Sequence, residues 1–257
     1  VGSEMCIRDR SCLQEIAAAA GDTHAYVAQY TPDDLRRKDI AAEVALLFIK
    51  EGRIDDALTL LDDVEQDGRD FGQEAWNHSY LATLEALGRT KDAQAHRWSC
   101  FIKTLDQPHL RTYIKGLPDF EDVEAEEKAR AHVLGYPSFS TALSFLLEWP
   151  DLLSAAQLIE NRSDEIDGNR YDILTPAAEA LRERHPLPAV LLWRAMIDYA
   201  LGEGRSSRYG HAADHLMDCS SLEDAIQDYG TFQSHANYFE TLRMAHDRKT
   251  SFWAKLK

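Results

Sequence analysis

The chain has 257 residues, of which 44% are apolar and 28% are charged, with 28 basic against 44 acidic side chains. This composition is normal for a globular protein and excludes a chain that is disordered throughout. The formal net charge of −16 repels phosphate backbones, so nucleic acid is not the partner that we expect.

The charge and the cysteines narrow the class of protein further. Residues 1–193 carry 20 basic and 35 acidic side chains, whereas residues 194–257 carry 8 and 9. The four cysteines form no Cys-x-x-Cys pair and are typical of reduced intracellular thiols. No apolar run reaches the length of a membrane span, so we expect a cytoplasmic protein without a membrane partner.

The first ten residues, VGSEMCIRDR, show no apolar periodicity. They resemble a recurrent artefactual peptide that arises when sequencing-adapter DNA is translated at the end of a gene fragment. We therefore expect residues 1–10 to be an artefactual tail, to be excluded from fold reasoning, on a fragment of a longer protein. A short native N-terminus is the alternative. The first native helix is expected at residues 12–21.

The clearest helical unit covers residues 39–68, where apolar side chains recur at three- and four-residue spacing. Gly52 is expected to end one helix in the left-handed conformation, and Ala57 begins the apolar face of the next. Residues 75–105 repeat this pattern with Gly88 and Ala93, each 36 positions later. The two segments resemble tetratricopeptide-type helix pairs, whose period is about 34 residues.

The remaining helices follow without a low-complexity linker. We expect Asp119 to cap a helix over 118–135 that ends at Gly135, and Ser206 or Ser207 to cap a helix over 207–218. Six further helices are predicted at 138–148, 151–161, 171–185, 187–204, 235–246 and 251–256. The predicted fold is all-α, a right-handed α-solenoid of antiparallel, tetratricopeptide-like helix pairs, with residues 11–257 as one domain.

Several sequence blocks carry a resemblance to a known family. They are RWSCF (97–101), LPDFEDVEAEEKA (117–129), DILTPAAEAL (172–181), RAMIDYAL (194–201) and RSSRYGHAADHL (205–216), with HANYFETLRMAHDRKTSFW (235–253). Through them the chain resembles a mainly proteobacterial family of unknown function built from helical repeats. The resemblance implies no activity, and its most specific part is the C-terminal helical block, residues 170–257.

Some proteins with a SWIM-type zinc finger have a similar closing block, which implies a nucleic-acid-associated accessory region as one alternative function. The Cys-x-Cys and Cys-x-His elements of that finger are absent, so its zinc and nucleic-acid associations are not carried over. Family members typically continue upstream. The missing upstream region of the same chain is therefore one of the partners that we expect.

His211, His215 and Cys219 are spaced four residues apart and project from one helical face. Imidazole and thiolate bind zinc, and His235 or His246 could supply a fourth ligand, so a metal-binding or hydrolytic site is the first alternative function, ahead of the nucleic-acid one. Packing and hydrogen bonding at a helix junction is the interpretation that we favour. Structural zinc sites show tighter paired-ligand spacing.

Four basic residues are candidates for contact with an anion or a partner: Arg205, Arg208, Arg248 and Lys249. Arg205 and Arg208 flank a predicted helix start, where free N–H groups attract anions. We favour the alternative that they pair with local carboxylates.

No phosphate-binding loop, dinucleotide fingerprint or nucleophile elbow occurs, so no catalytic residue and no cofactor is assigned. The leading prediction is a protein-interaction scaffold, because solenoids bind partners through extended surfaces without catalytic groups.

Overall fold

The computed structural model describes residues 22–64 and 71–256. Across these ranges the regular structure is helical, which confirms the predicted all-α class. The expected tail at 1–10 and the helix expected at 12–21 lie outside the described residues. None of the helices seen here is both long and apolar enough to cross a membrane.

The α-helices of the described ranges are numbered α1 to α15 in chain order. They are Thr23–Val27, Pro32–Leu35, Lys38–Lys50, Ile54–Asp62, Gln73–Ala86, Thr90–Thr104, Gln107–Lys115, Glu121–Leu134, Phe139–Glu148, Leu152–Asn161, Tyr171–Leu181, Pro186–Gly202, Tyr209–Ser221, His235–His246 and Thr250–Trp253. Short 3₁₀ turns occupy Ser163–Glu165, Ser206–Arg208, Glu223–Ala225 and Ala254–Leu256.

The chain divides into two compact units, residues 1–101 and residues 102–257. In the first unit, α3 packs against both α4 and α5. Polar side chains hold this packing where the helices meet: the indole N–H of Trp76 donates to the Leu61 carbonyl at 3.1 Å, and the Ser79 hydroxyl to the Ala42 carbonyl at 2.9 Å. Burying these donors costs little because each has an acceptor.

The turn from α3 to α4 has the geometry that the sequence predicts. Gly52 lies in the left-handed region, with φ at 79°. Its N–H donates to the Ile49 carbonyl, and the next N–H, from Arg53, donates to the Phe48 carbonyl. This is the hydrogen-bond pattern of a Schellman motif, which satisfies the last carbonyls of the helix. The Arg53 side chain then donates to Asp56 at 2.7 Å.

The turn from α5 to α6 reproduces this geometry. Gly88 has φ at 68°, and Arg89 donates to Asp92 at 2.6 Å. The alanines that follow the two turns, Ala57 and Ala93, are both buried. The two helix pairs therefore share one turn structure at equivalent positions.

In the second unit, α12 packs against α10, α11 and α13. Its sequence is apolar on almost every face, as expected for a helix surrounded by protein. Trp193 at its centre is fully buried. An adjacent loop approaches α12 so closely that a Cβ added to Gly168 would lie 2.0 Å from the Ala195 carbonyl oxygen.

Two predicted helix starts are wrong. The cap of α8 is Phe120, in the left-handed region with φ at 76°, and not Asp119. The cap of α13 is Arg208 and not Ser206 or Ser207, because the two serines lie in a 3₁₀ turn that precedes the α-helix.

For two other helices of the second unit, one prediction is confirmed and one helix is new. Gly135 caps the C-terminal end of α8, as predicted. Helix α7 was not predicted, although Asp106 caps it by accepting from the N–H of His109 at 2.8 Å.

Candidate functional site

A third Gly-Arg turn follows α12 in the C-terminal block. Gly204 has φ at 63°, and the N–H of Arg205 donates to the Ala200 carbonyl at 2.9 Å, as in the two turns of the first unit. Three positions after the arginine, however, stands Arg208 where the other two turns have an aspartate. This turn therefore presents two guanidinium groups and lacks the carboxylate that neutralises its counterparts.

The structure differs from the expected pairing of these arginines with local carboxylates. Arg208 lies 4.3 Å over the ring of Tyr171 and donates to the Asn169 side-chain oxygen at 2.9 Å. Arg205 is exposed and forms no ion pair with any described carboxylate. Neither guanidinium group has a carboxylate within ion-pair distance among the residues that the structure describes.

The remaining two basic candidates lie beyond α14. Arg248 is exposed, whereas Lys249 is half-buried and its Nζ donates to the Tyr209 hydroxyl at 3.4 Å. The following Phe252 is fully buried and its ring lies 6.0 Å from that of Tyr209, so it fastens the end of the chain to α13.

The candidate metal ligands share α13 but not one environment. His211 is exposed, while His215 is buried with its ring stacked 6.3 Å from that of Trp193. The buried Cys219 thiol donates to the Val190 carbonyl at 3.9 Å. Across the described ranges, no three His, Cys, Asp or Glu side chains group in a way that could hold a metal ion.

Burial sets the protonation state of both of these groups. Burial raises the pKa of the Cys219 thiol to about 12, so the thiol is protonated at neutral pH. Burial also lowers the pKa of His215, which keeps its imidazole neutral. The structure thus places both residues in the core that α12 and α13 share.

A buried arginine that the sequence analysis did not identify links α12 to the last helices. Arg194 is 5% exposed, and its Nη1 donates to the Gln233 carbonyl at 2.7 Å. Its guanidinium lies over the ring of Tyr238, whose hydroxyl donates to Asp198 at 2.8 Å. Burial and the Asp198 carboxylate raise the pKa of Tyr238 well above its usual value, so this hydroxyl remains a donor.

An open groove of about 650 Å³ lies between α14 and the end of the chain. We call it the C-terminal groove; it is lined by Phe239, Arg243, Asp247, Trp253, Ala254 and Leu256. Trp253 is fixed there because its indole N–H donates to the His246 carbonyl at 2.7 Å and its ring meets Phe239 edge to face at 5.8 Å. These contacts therefore fix the positions of two aromatic side chains in the groove wall.

The described arginines up to residue 182 differ from those beyond it in whether they form ion pairs with carboxylates. Of the ten described up to residue 182, all except Arg111 form an ion pair with a carboxylate: Arg36, Arg37, Arg53, Arg89, Arg97, Arg130, Arg162, Arg170 and Arg182.

None of the six arginines described beyond that point has a carboxylate within ion-pair distance among the residues that the structure covers. They are Arg184, Arg194, Arg205, Arg208, Arg243 and Arg248. The C-terminal block thus carries unneutralised guanidinium groups on a chain whose net charge is −16.

Comparison with known proteins gives one result. Searches against curated proteins and against solved structures each found no significant match. A family model described as a family of unknown function, DUF6880, matches residues 6–255. Since this match spans almost the whole length, the chain belongs to the DUF6880 family.

Proposed function

We propose that the chain is a protein-interaction scaffold, whose C-terminal groove binds an acidic, amphipathic segment of a protein partner. The observation that carries this proposal is an aromatic groove whose lining arginine, Arg243, has no carboxylate within ion-pair distance among the described residues. Tryptophan, tyrosine and arginine dominate the energetics of protein interfaces, because they combine large contact area with directed polar groups.

The groove supplies both kinds of contact. Phe239, Trp253 and Leu256 are half-buried, so a partner would remove further apolar surface from water. Arg243 is exposed on the groove wall. Residues 239–256 carry four basic and two acidic side chains, one of which, Asp247, lines the groove itself. A partner segment with apolar and acidic side chains matches this composition best.

The proposal is tested with a displayed library of peptides of graded charge, followed by fluorescence anisotropy on the peptides that bind. We expect acidic, amphipathic peptides to be selected. Arg243→Glu and Leu256→Asp should each weaken their binding about tenfold, which corresponds to about 1.4 kcal/mol. The matched control is Arg184→Glu, which reverses an exposed arginine outside the groove and should leave the affinity unchanged.

Two outcomes contradict the proposal. In the first, Arg243→Glu and Arg184→Glu weaken peptide binding equally, because the binding site would then lie outside the groove. The other is strong binding of DNA or RNA with a steep salt dependence and no peptide binding, which would favour the nucleic-acid alternative.

A further inference from the structure

The N-terminal end of α8 exposes two large apolar side chains among carboxylates. Phe120 is 88% exposed and Val123 is 59% exposed, and Phe120 has the largest exposed fraction of the described large apolar residues. Residues 118–127 carry six acidic and no basic side chains. We call residues 118–127 the acidic segment.

Helix chemistry explains only part of this composition. Carboxylates in the first turn of α8 are favourable because they face the positive end of the helix dipole. The same reasoning gives no role to Phe120 and Val123, whose exposure to water costs free energy that a smaller or polar side chain would avoid. Exposed apolar side chains flanked by charge are typical of a surface that contacts protein.

The acidic segment has the exposed apolar side chains and the carboxylates that we expect in a ligand of the C-terminal groove. It offers two apolar side chains to a groove walled by Phe239 and Trp253, and carboxylates to the unneutralised Arg243. Because Phe120 and Val123 are exposed, the segment does not fill the groove of its own chain.

We propose that the occupant of the C-terminal groove is the acidic segment of a second copy of this chain. This inference rests on the proposed function and identifies the partner. Each copy carries both surfaces, so the contact is head-to-tail. A head-to-tail contact joins copies into a ring or an open chain, depending on the rotation between neighbours.

The first experiment is sedimentation analysis of the full chain over a concentration series. At low salt the wild-type chain should associate, either into a closed ring of two or more copies or into a chain that grows with concentration. Association should weaken at an ionic strength of about 1 M, where the Debye length is about 3 Å. A strict monomer over the whole series would overturn the inference.

Paired variants then test the two surfaces. The segment variant Phe120→Ser/Val123→Ser and the groove variant Arg243→Glu/Leu256→Asp should each be monomeric. An equimolar mixture should form a heterodimer that grows no further, because one intact groove meets one intact segment. Circular dichroism verifies folding, and Arg243→Glu alone replaces the groove variant if the double substitution unfolds the chain.

The matched control is Leu153→Ser, which removes another exposed apolar side chain and should associate like the wild type. Association of the segment variant at wild-type strength, or no heterodimer in the mixture, would overturn the inference.

A peptide spanning residues 117–129 separates this inference from the proposed function. If it fails to bind while other acidic peptides bind through Arg243, the groove is an interaction site and the self-contact is wrong. If no peptide binds the groove, both proposals fail.

Discussion

The guanidinium carbon of Arg194 lies 4.4 Å from the centroid of the Tyr238 ring, and these two residues join α12 to α14. A cation over an aromatic face is favourable, and more so when both groups are removed from water. The Gln233 carbonyl accepts one hydrogen bond from the same guanidinium. One buried side chain thus holds the end of the chain against the central helix of the second unit.

Replacing Arg194 separates the contribution of its volume from that of its charge. We expect Arg194→Ala to destabilise the chain by about 2–5 kcal/mol, the range for removing a long buried side chain. Arg194→Met should cost clearly less, because methionine fills a similar volume and no buried charge remains. Urea unfolding of both variants checks this. Equal losses would show that the charged contacts, and not the packing, dominate.

The buried alanines after the first two Gly-Arg turns predict a steric effect. Ala57→Leu and Ala93→Leu should each lower the free energy of unfolding by about 1–3 kcal/mol, because both alanines are buried and a larger side chain there overpacks the core. Ala86→Leu, on the exposed face of α5, is the control and should be close to neutral. Neutral behaviour of both buried variants would contradict the shared packing of the two turns.

Two glycines of the second unit should respond oppositely to alanine. Gly168→Ala places its methyl group against the Ala195 carbonyl, so we expect a loss near the upper end of about 1–3 kcal/mol. Gly210 lies within α13 with open space around it, and alanine there should stabilise by about 0.5–1 kcal/mol. Thermal midpoints of the two variants measure the contrast, which a loss in both would contradict.

The buried histidines predict a loss of stability in mild acid. Burial lowers the pKa of His215 and of His235 in the folded chain. In the unfolded chain the pKa of a histidine is about 6.5. Between these values the unfolded chain binds more protons, so stability falls as the pH drops below about 6.5.

The measurement for this effect is the thermal midpoint between about pH 7.5 and about pH 5.5, a range that spans histidine titration. His215→Gln should flatten the dependence. Equal slopes in the wild type and His215→Gln would contradict the assignment.

Cys219 should be chemically inert in the folded chain. Its raised pKa and its burial both limit the thiolate that reacts with alkylating agents. We expect Cys219 to remain unmodified by a maleimide at neutral pH and to react fully once the chain is unfolded in urea. Peptide mass spectrometry identifies the modified residue, and rapid modification of the native chain would contradict the buried placement.

The sequence determined features that depend on near neighbours. Gly52 and Gly88 end their helices because a residue without Cβ enters the left-handed region at low cost, and this requirement is visible in the sequence. Ala57 and Ala93 follow at the spacing that buries them. The helix at His235–His246 was predicted with its observed bounds, since its apolar periodicity and cap are local.

The tertiary structure alone decided how distant residues combine. Local spacing placed His211, His215 and Cys219 on one helix, but the packing of α12 buries His215 and Cys219 and leaves His211 in water.

The candidate site likewise needed the assembled fold. Arg194 carried only a weak signal, a charge within an apolar helix, and its partner Tyr238 lies 44 residues away. The C-terminal groove exists only once Phe252 anchors the end of the chain and Trp253 meets Phe239. Burial and electrostatic pairing are properties of three-dimensional neighbours, and helical periodicity does not encode them.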